Sequence, residues 1–507
     1  MRSLKHIGTI IWVLFLSIGF TYAQDSTLIT LNIRENISPI HVFNKDFYTS
    51  PSLRSYEHRP SFTKVDAKYF YNKQDLFVKQ EGSGQNGFRV DAQSFLKNTS
   101  ETTLWGSASY VNEEITDLSY NETNDYDLVY PYVMADTVGG NLNSETYYFK
   151  GGIAKKAGSF EYGLQASFRG VQAYRDRDPR PLNLSSDIRL SLSVSTEIKN
   201  QYAISVDLNG QKYNQKSTLD FASELGAPLV FHDAGLGAYN NLLAGSRTAS
   251  NYNGYEYGTR LNLIPTRADG LIAQLGFNKF YLEKLVTSII FPIGEVDDNT
   301  FLGLVGYRKS LKHSSLLVKL SAIHKLRNGI EAKFNNRDSE SSIQKVSEDV
   351  RYRNTRNQLR LEGMYGRKSD AFDFYVHGKL GYLEDDQDYI SPDRALNYSN
   401  LMLGLNVTGI KPVNKTLLTA QIGATKLQNL DASYFWNDVN WESGIYEMLT
   451  SNYQYLTSSS FQVSGKLRVD YPFPNNLNFF VQAAGHYTSY MDNYQGKQFV
   501  VSTGFVF

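Results

Sequence analysis

The sequence predicts an all-β protein: a transmembrane antiparallel up-and-down β-barrel of about 18 strands, with 16 as the alternative. Three observations predict it. Segments that alternate apolar with polar or small residues recur along most of the chain. Short and long connections between them alternate. An export signal stands at the start, and the aromatic content suits the two interfaces of a membrane.

The composition removes other classes. Lys plus Arg is 51 and Asp plus Glu is 51, so the formal charge is zero and the basic excess of a nucleic-acid binder is missing. There are 36 Tyr and 29 Phe but no Cys, which excludes a disulfide-stapled fold, thiolate metal sites and a cysteine nucleophile.

In chain order, residues 1–23 read as a signal peptide. Arg2 and Lys5 form the basic start, and Ile10-Ile11-Trp12-Val13-Leu14-Phe15-Leu16 the apolar core. Thr21-Tyr22-Ala23 supplies the small residue for cleavage before Gln24. Beyond it no window holds the roughly 18 apolar residues of a membrane helix. Residues 24–62, with Asn36-Ile37-Ser38-Pro39 and Pro51 and little periodicity, are expected to be a periplasmic or lumen-inserted segment.

Residues 63–507 are the predicted barrel. Successive strand side chains face opposite ways. In Asp187–Ile198 the apolar Ile188, Leu190, Leu192, Val194 and Ile198 alternate with Arg189, Ser191, Ser193, Ser195 and Glu197. Tyr202, Ile204, Val206 and Leu208 then alternate with Ser205, Asp207 and Asn209, and Lys199-Asn200-Gln201 makes the tight turn of a hairpin. Tyr255 to Leu263, Phe372 to Tyr382, Phe461 to Tyr471 and Leu477 to Tyr487 repeat the pattern. A one-residue slip would turn Lys466 and Arg468 into lipid, at about 2–4 kcal/mol each near the midplane. A soluble sandwich shows the same alternation, so the connections decide. Short ones are expected at Asn98–Glu101, Lys155–Gly158, Lys199–Gln201, Arg267–Gly270, Lys312–Ser314, Arg367–Asp370, Lys411–Asn414 and Pro472–Asn476. Long ones are expected at Asn112–Thr146, Asn214–Ser250, Ile330–Asp349 and Asn429–Tyr455. Short periplasmic turns and long extracellular loops are the pattern of an outer-membrane barrel. Phe499, Val501, Thr503, Phe505 and Phe507 share one face of the last strand. Such a strand resembles the signal read by the barrel assembly machinery, which becomes an expected partner beside outer-membrane lipid.

Local sequence adds a family resemblance. From Leu104 to Leu184 the chain carries Trp105-Gly106-Ser107-Ala108-Ser109-Tyr110, Asn121-Glu122-Thr123-Asn124-Asp125-Tyr126, Tyr130-Pro131-Tyr132-Val133-Met134-Ala135-Asp136-Thr137-Val138-Gly139-Gly140, Gly151-Gly152 and Tyr174-Arg175-Asp176-Arg177-Asp178-Pro179-Arg180-Pro181. This resembles an uncharacterised outer-membrane β-barrel family of Bacteroidota-type bacteria, a domain of unknown function. Ser119-Tyr120 departs from it, standing where the family has a Trp. The resemblance implies an outer-membrane location, no established activity, and company with TonB-dependent uptake systems.

Candidate chemistry is weighed against plainer readings. Asp117, Asn121, Glu122, Asp125 and Asp127 offer oxygen ligands for Ca²⁺ without EF-hand spacing, and read as a solvated, aromatic-capped surface loop. Arg175, Asp176, Arg177, Asp178 and Arg180 could take a ligand carboxylate or phosphate, and read as charges that pair with one another. His232-Asp233 says nothing of shared geometry, because strand neighbours point apart. Gly139-Gly140 and Gly151-Gly152 read as turn and bend residues. No G-x-S-x-G, H-E-x-x-H or Walker loop is present, so no catalytic, cofactor-binding or metal residue is assigned and an enzyme is not expected. Lumen charges Arg169, Arg189, Arg260, Arg360, Lys379, Lys466 and Arg468 face Glu161, Glu197, Asp207, Glu256, Glu362, Asp373 and Asp470, a balance that reads as cross-strand pairs.

Two functions follow as expectations. One is a channel or accessory component of nutrient uptake across the outer membrane. The other is a non-conducting scaffold that presents surface loops to a partner protein. An open lumen would favour the first, and a filled one the scaffold or a gated complex.

Overall fold

A computed structural model describes residues 33–507 apart from 35–36, 59, 99–100, 224–228, 246–247, 268, 287–288, 290, 336–343 and 474–476. The expected signal peptide, 1–23, lies outside the described residues.

Eighteen antiparallel strands form one sheet. They are β1 (Phe62–Gln74), β2 (Gly84–Asn98), β3 (Thr102–Leu118), β4 (Gly140–Ala157), β5 (Phe160–Tyr174) and β6 (Arg180–Ile198). Next come β7 (Tyr202–Asp220), β8 (Ala249–Pro265), β9 (Gly270–Val286), β10 (Gly294–Ser310), β11 (Ser314–Phe334) and β12 (Lys345–Arg367). The last are β13 (Asp373–Tyr389), β14 (Arg394–Val413), β15 (Thr416–Trp436), β16 (Ser460–Pro472), β17 (Asn478–Tyr490) and β18 (Gln495–Val506). Each pairs with its sequence neighbours, and β18 pairs with β1 from Lys64↔Val506 to Gln74↔Gly496. Closure leaves the sheet without an edge, so every strand has a ladder partner on both sides.

The register follows the predicted phase. On β6 and β7, Ile188, Leu190, Leu192, Val206 and Leu208 are exposed, whereas Ser193, Ser195, Ser205 and Asp207 are buried. On β16, Phe461, Val463, Leu467 and Val469 point out, and Arg468 and Asp470 point in. The result is an outward apolar belt around a polar lumen, the inverse of a soluble globule. Lys199 and Asn200 hold φ of 51° and 50°, a left-handed pair within the three-residue connection 199–201 between β6 and β7.

The long connections are shorter than the sequence suggests. β3 runs to Leu118 and β4 begins at Gly140, so the expected loop Asn112–Thr146 shrinks to 119–139. Likewise β7 reaches Asp220 and β8 starts at Ala249, β11 reaches Phe334 and β12 starts at Lys345, and β15 reaches Trp436. Polar residues such as Asn112, paired with Glu145, continue the ladder beyond the apolar alternation. The strands, up to 23 residues long, exceed the roughly 9–11 needed to cross a bilayer. Not every connection at the loop end is long: 175–179, 390–393 and 491–494 are tight. Within Asn429–Tyr455 the sequence reading also missed a helix, Gly444–Thr457.

Candidate functional site: the occupied lumen

The lumen is where a barrel of this size does its work, and here the chain's own segments enter it from both ends. At the turn end, residues 33–34 and 37–58 form a strap built from α1 (Pro39–Asn44) and two 3-10 turns, Lys45–Tyr48 and Pro51–Tyr56. Pro39 and Pro51 fix the first turn of two of these elements, where a missing N–H costs nothing. Phe43, Phe47, Tyr48 and Leu53 then pack on Ala203, Ile264, Ile272, Leu304, Leu317 and Met364, all near the turn ends of β7 to β12.

Polar contacts fix the strap in register. Arg34 forks onto Asp373 of β13 at 2.5 and 3.0 Å. Lys319 of β11 reaches Asp46 at 2.8 Å, Arg260 of β8 reaches Thr49 Oγ1 at 2.5 Å, and Ser52 N donates to Ser193 Oγ at 2.7 Å. Tyr56 donates to Glu197 at 2.9 Å. So Arg260 and Asp373 meet the strap rather than a neighbouring strand, which corrects the cross-strand reading for these two, while Glu197 meets both the strap and Lys156 of β4 at 3.7 Å. Others do pair locally, as Arg468 with Asp470 at 2.7 Å. The strap also crosses the lumen. Phe43 lies 5.6 Å from His377 of β13, the His41 ring lies tilted against His58 at 4.2 Å, and His58 lies 4.7 Å from Phe95 of β2. Burial pushes His58 down to about 3, with His41, Arg54 and Lys97 adding to the effect.

At the loop end, 119–139 folds inward. Asp125 accepts from Arg169 of β5 at 2.8 and 2.7 Å and from Tyr213 of β7 at 2.9 Å. Across the lumen, Arg327 of β11 donates to the carbonyls of Asp127 and Tyr130 at 2.7 and 2.6 Å. Its other nitrogens bind Asp298 at 2.7 Å. Tyr252 donates to Tyr132 O at 2.9 Å, and Tyr130 meets Tyr352 edge-on at 5.3 Å. Met134–Asp136 pairs with Val230–His232, which draws the second long loop in beside the first.

This placement corrects two readings. Part of the acidic loop turns inward rather than out into solvent: Asn121 and Glu122 are buried, and Glu122 and Asp125 pair with Arg175 and Arg169, while Asp117 and Asp127 stay exposed. Its ligand candidates are also dispersed: Asp117 accepts from Ser83, Glu122 from Arg175, and Asp125 from Arg169. Among the charges around Pro179, Arg175 pairs outside its own cluster, with Glu122 at 3.0 Å, while Arg180 and Asp178 pair within it at 2.8 Å. Burial and the neighbouring Asp136 push the Glu122 carboxyl up, and Arg175 opposes them.

His232 and Asp233 lie side by side at the end of the small sheet, without a shared site. Asp233 Oδ1 accepts from Gly235 N at 3.0 Å, and burial pushes its carboxyl up to about 6. The fully buried Lys284 of β9, together with Arg394, opposes that rise. Gly139 is a connecting residue at φ 65°, and Gly140, at φ 144°, is the first residue of β4. Gly152 is not a bend: a Cβ there would sit 2.3 Å from the Trp105 indole, so it gives that ring its space.

α3, the helix Gly444–Thr457, lies across the loop end; α2 is the single turn Tyr126–Val129 inside the inward loop. Ser443 caps α3 by accepting from Tyr446 N at 3.3 Å. Asn452 accepts from Lys79 N at 2.9 Å and donates to Gln80 Oε1 at 2.8 Å. Ile445, Met448, Leu449, Asn452 and Leu456 have helical spacing, a signal present in the sequence. Between these inserts and the wall of β11 to β18 lies a cavity of about 740 Å³, lined among others by Glu81, Asp127, Arg327, Arg356, Tyr398 and Tyr455. Its charges are balanced, and Arg356 is itself paired with Asp385 at 3.1 Å.

An edgeless 18-strand barrel with an apolar exterior and a lumen held by its own chain defines an outer-membrane-type β-barrel. The chain belongs to the Family of unknown function (DUF6850), which it matches over residues 51–507. No curated protein matches it. Among solved structures it is similar to the ferric-catecholate import receptor Fiu from E. coli K12, at 7% identity over 89% of this chain and 82% of that chain, TM-score 0.39. It is similar to the FrpB iron transporter from Neisseria meningitidis, at 8% identity over 89% and 82%, TM-score 0.40. For the copper transporter OprC the figures are 10%, 88%, 80% and 0.40. Nothing about this chain's ligand follows from these likenesses.

Proposed function

We propose that the chain resides in the outer membrane and serves nutrient uptake there as a gated or accessory component, closed at rest, rather than as an open pore. One observation carries this reading: the strap crosses the lumen at the turn end, and 119–139 crosses it at the loop end. Both inserts are tied to strands on opposite sides of the barrel, so neither leaves by a small displacement. The cavity of about 740 Å³ is of the size that takes a small solute, about 300–1,000 Å³. Its balanced lining favours a ligand of mixed polarity over a simple ion. The uptake assignment rests on the family resemblance, which puts such barrels in the company of TonB-dependent receptors. Lipid around the apolar belt and the assembly machinery at the closing strand are the partners this reading requires, and it assigns no catalysis.

Planar-bilayer recording tests it. The intact protein is expected to show no steady open-channel current, and a variant lacking residues 33–58 and with the inward loop 119–139 replaced by a short turn to show discrete conductance steps. Steady conductance by the intact protein would overturn the closed state. A deletion variant that folds and stays silent would favour the second reading, a non-conducting scaffold. The structural observation behind that alternative is the loop after β15, which carries the exposed Trp441 just before α3.

A further inference from the structure

Among the described residues one group brings three metal-ligating side chains together: His41, Glu57 and His58, whose donor atoms all lie within 4.8 Å of one another. They come from the two ends of the strap. His41 sits in α1, and Glu57 and His58 follow its last 3-10 turn. The intervening residues run along the barrel wall and return. The two imidazoles lie 4.2 Å apart, centroid to centroid, with their planes 37° apart. Glu57 Oε1 is 3.7 Å from His58 Nε2.

We propose that His41, Glu57 and His58 form a binding site for one divalent transition-metal ion, which fastens the two ends of the strap to each other. Two imidazoles and one carboxylate are a donor set for Zn²⁺ and its neighbours, with a fourth position left for water. Ca²⁺ and Mg²⁺ demand oxygen shells that this group does not supply. Bonds of about 2.0–2.1 Å in a tetrahedron put donor atoms about 3.3 Å apart, so modest side-chain rotation closes the group onto an ion. Packing holds the parts in place. His58 is wedged against Phe62 and Phe95 at 4.7 Å each. Arg54 binds Glu57 Oε2 at 2.5 Å, which orients the carboxylate and leaves Oε1 toward His58. Lys45, Arg54 and Lys97 stand close enough to act on the two imidazoles. They oppose any added positive charge, so the bonds to the two imidazole nitrogens and the carboxylate must outweigh that repulsion.

The consequence is mechanical. An ion here closes residues 41 to 58 into a ring lying across the turn end, so the strap can no longer straighten or thread out between the strands. This inference concerns the strap alone and stands whether or not the barrel serves uptake.

The test uses the full chain folded in detergent, stripped with a chelator and titrated with Co²⁺, then Zn²⁺. One equivalent of Co²⁺ is expected to bind with the intense visible absorption of a low-coordinate site, and Zn²⁺ to displace it. His41→Gln and His58→Gln are each expected to weaken binding at least about tenfold. The gel mobility shift of the unheated barrel should persist in both. Absence of stoichiometric Co²⁺ binding, or binding that both variants retain at full strength, overturns the proposal. His41 packs less tightly than His58, so His41→Gln decides the matter should His58→Gln fail to fold.

Discussion

Arg175 and Glu122 meet where neither side chain reaches solvent: 4% and 0% of their side-chain surfaces are exposed. Both terminal nitrogens of the guanidinium donate to Glu122 Oε1 at 3.0 Å, and one also to Pro179 O at 3.1 Å. The Arg therefore ties the inward loop to the connection between β5 and β6. Removing one partner of a buried pair leaves the other without compensation, at about 3–5 kcal/mol. Arg175→Met is thus expected to lower unfolding stability by that amount, read from the urea midpoint of the detergent-folded barrel. Arg175→Met with Glu122→Leu should recover part of it, because the stranded carboxylate is gone. A single variant as stable as the parent would remove this pair from the account of the loop. The sequence showed both residues as candidates yet paired neither with the other. They are 53 positions apart, and only the return of β5 along β4 brings them together.

At the scale of elements, the strands were legible and the inserts were not. Alternation in Asp187–Leu208 fixed which side chains of β6 and β7 face outward, because a one-residue slip exchanges the two faces. Loop 119–139 carries as many acidic and aromatic residues as an exposed loop would, and its burial depends on Arg169 and Arg327, which lie on other strands. α3 was readable from its 3.6-residue spacing, but sits where a long loop was expected. The strap has no periodicity to read, since its Phe and Tyr side chains each fit a different strand of the wall. Gly152 shows the same limit in one residue. Its partner Trp105 donates to Gln165 Oε1 at 3.0 Å, which holds the indole over the glycine. Gly152→Ala is expected to cost about 1–3 kcal/mol through overpacking. Gly151→Ala is the control, since the nearest atom to a Cβ there is 3.9 Å away, and should stay within about 0.5 kcal/mol. Equal midpoints for the two variants would show that Trp105 moves freely and that the glycine has no packing role.

For the whole molecule, the outward belt and the inward polarity are one fact seen from two sides. Side chains such as Leu190, Leu208, Leu275, Leu403, Ile422 and Leu467 are exposed around the full circumference, far beyond the scattered apolar residues of a soluble surface. A medium that removes this belt from water stabilises the barrel, and hydrocarbon is that medium. Leu208 and Asn209 provide the comparison, as neighbours on β7 with opposite facing. In a bilayer, an arginine at Leu208 must hold its charge near the midplane, at about 2–4 kcal/mol. At Asn209 the same charge enters a lumen already lined by Asp207, Glu256 and Arg260. Leu208→Arg is therefore expected to destabilise the barrel folded into lipid vesicles by about 2–4 kcal/mol, and Asn209→Arg by much less. In water the order would reverse or vanish, since exposed surface accepts charge. Equal costs at the two positions in lipid, or a Leu208→Arg protein that folds without lipid or detergent, would place the apolar belt against protein instead of hydrocarbon.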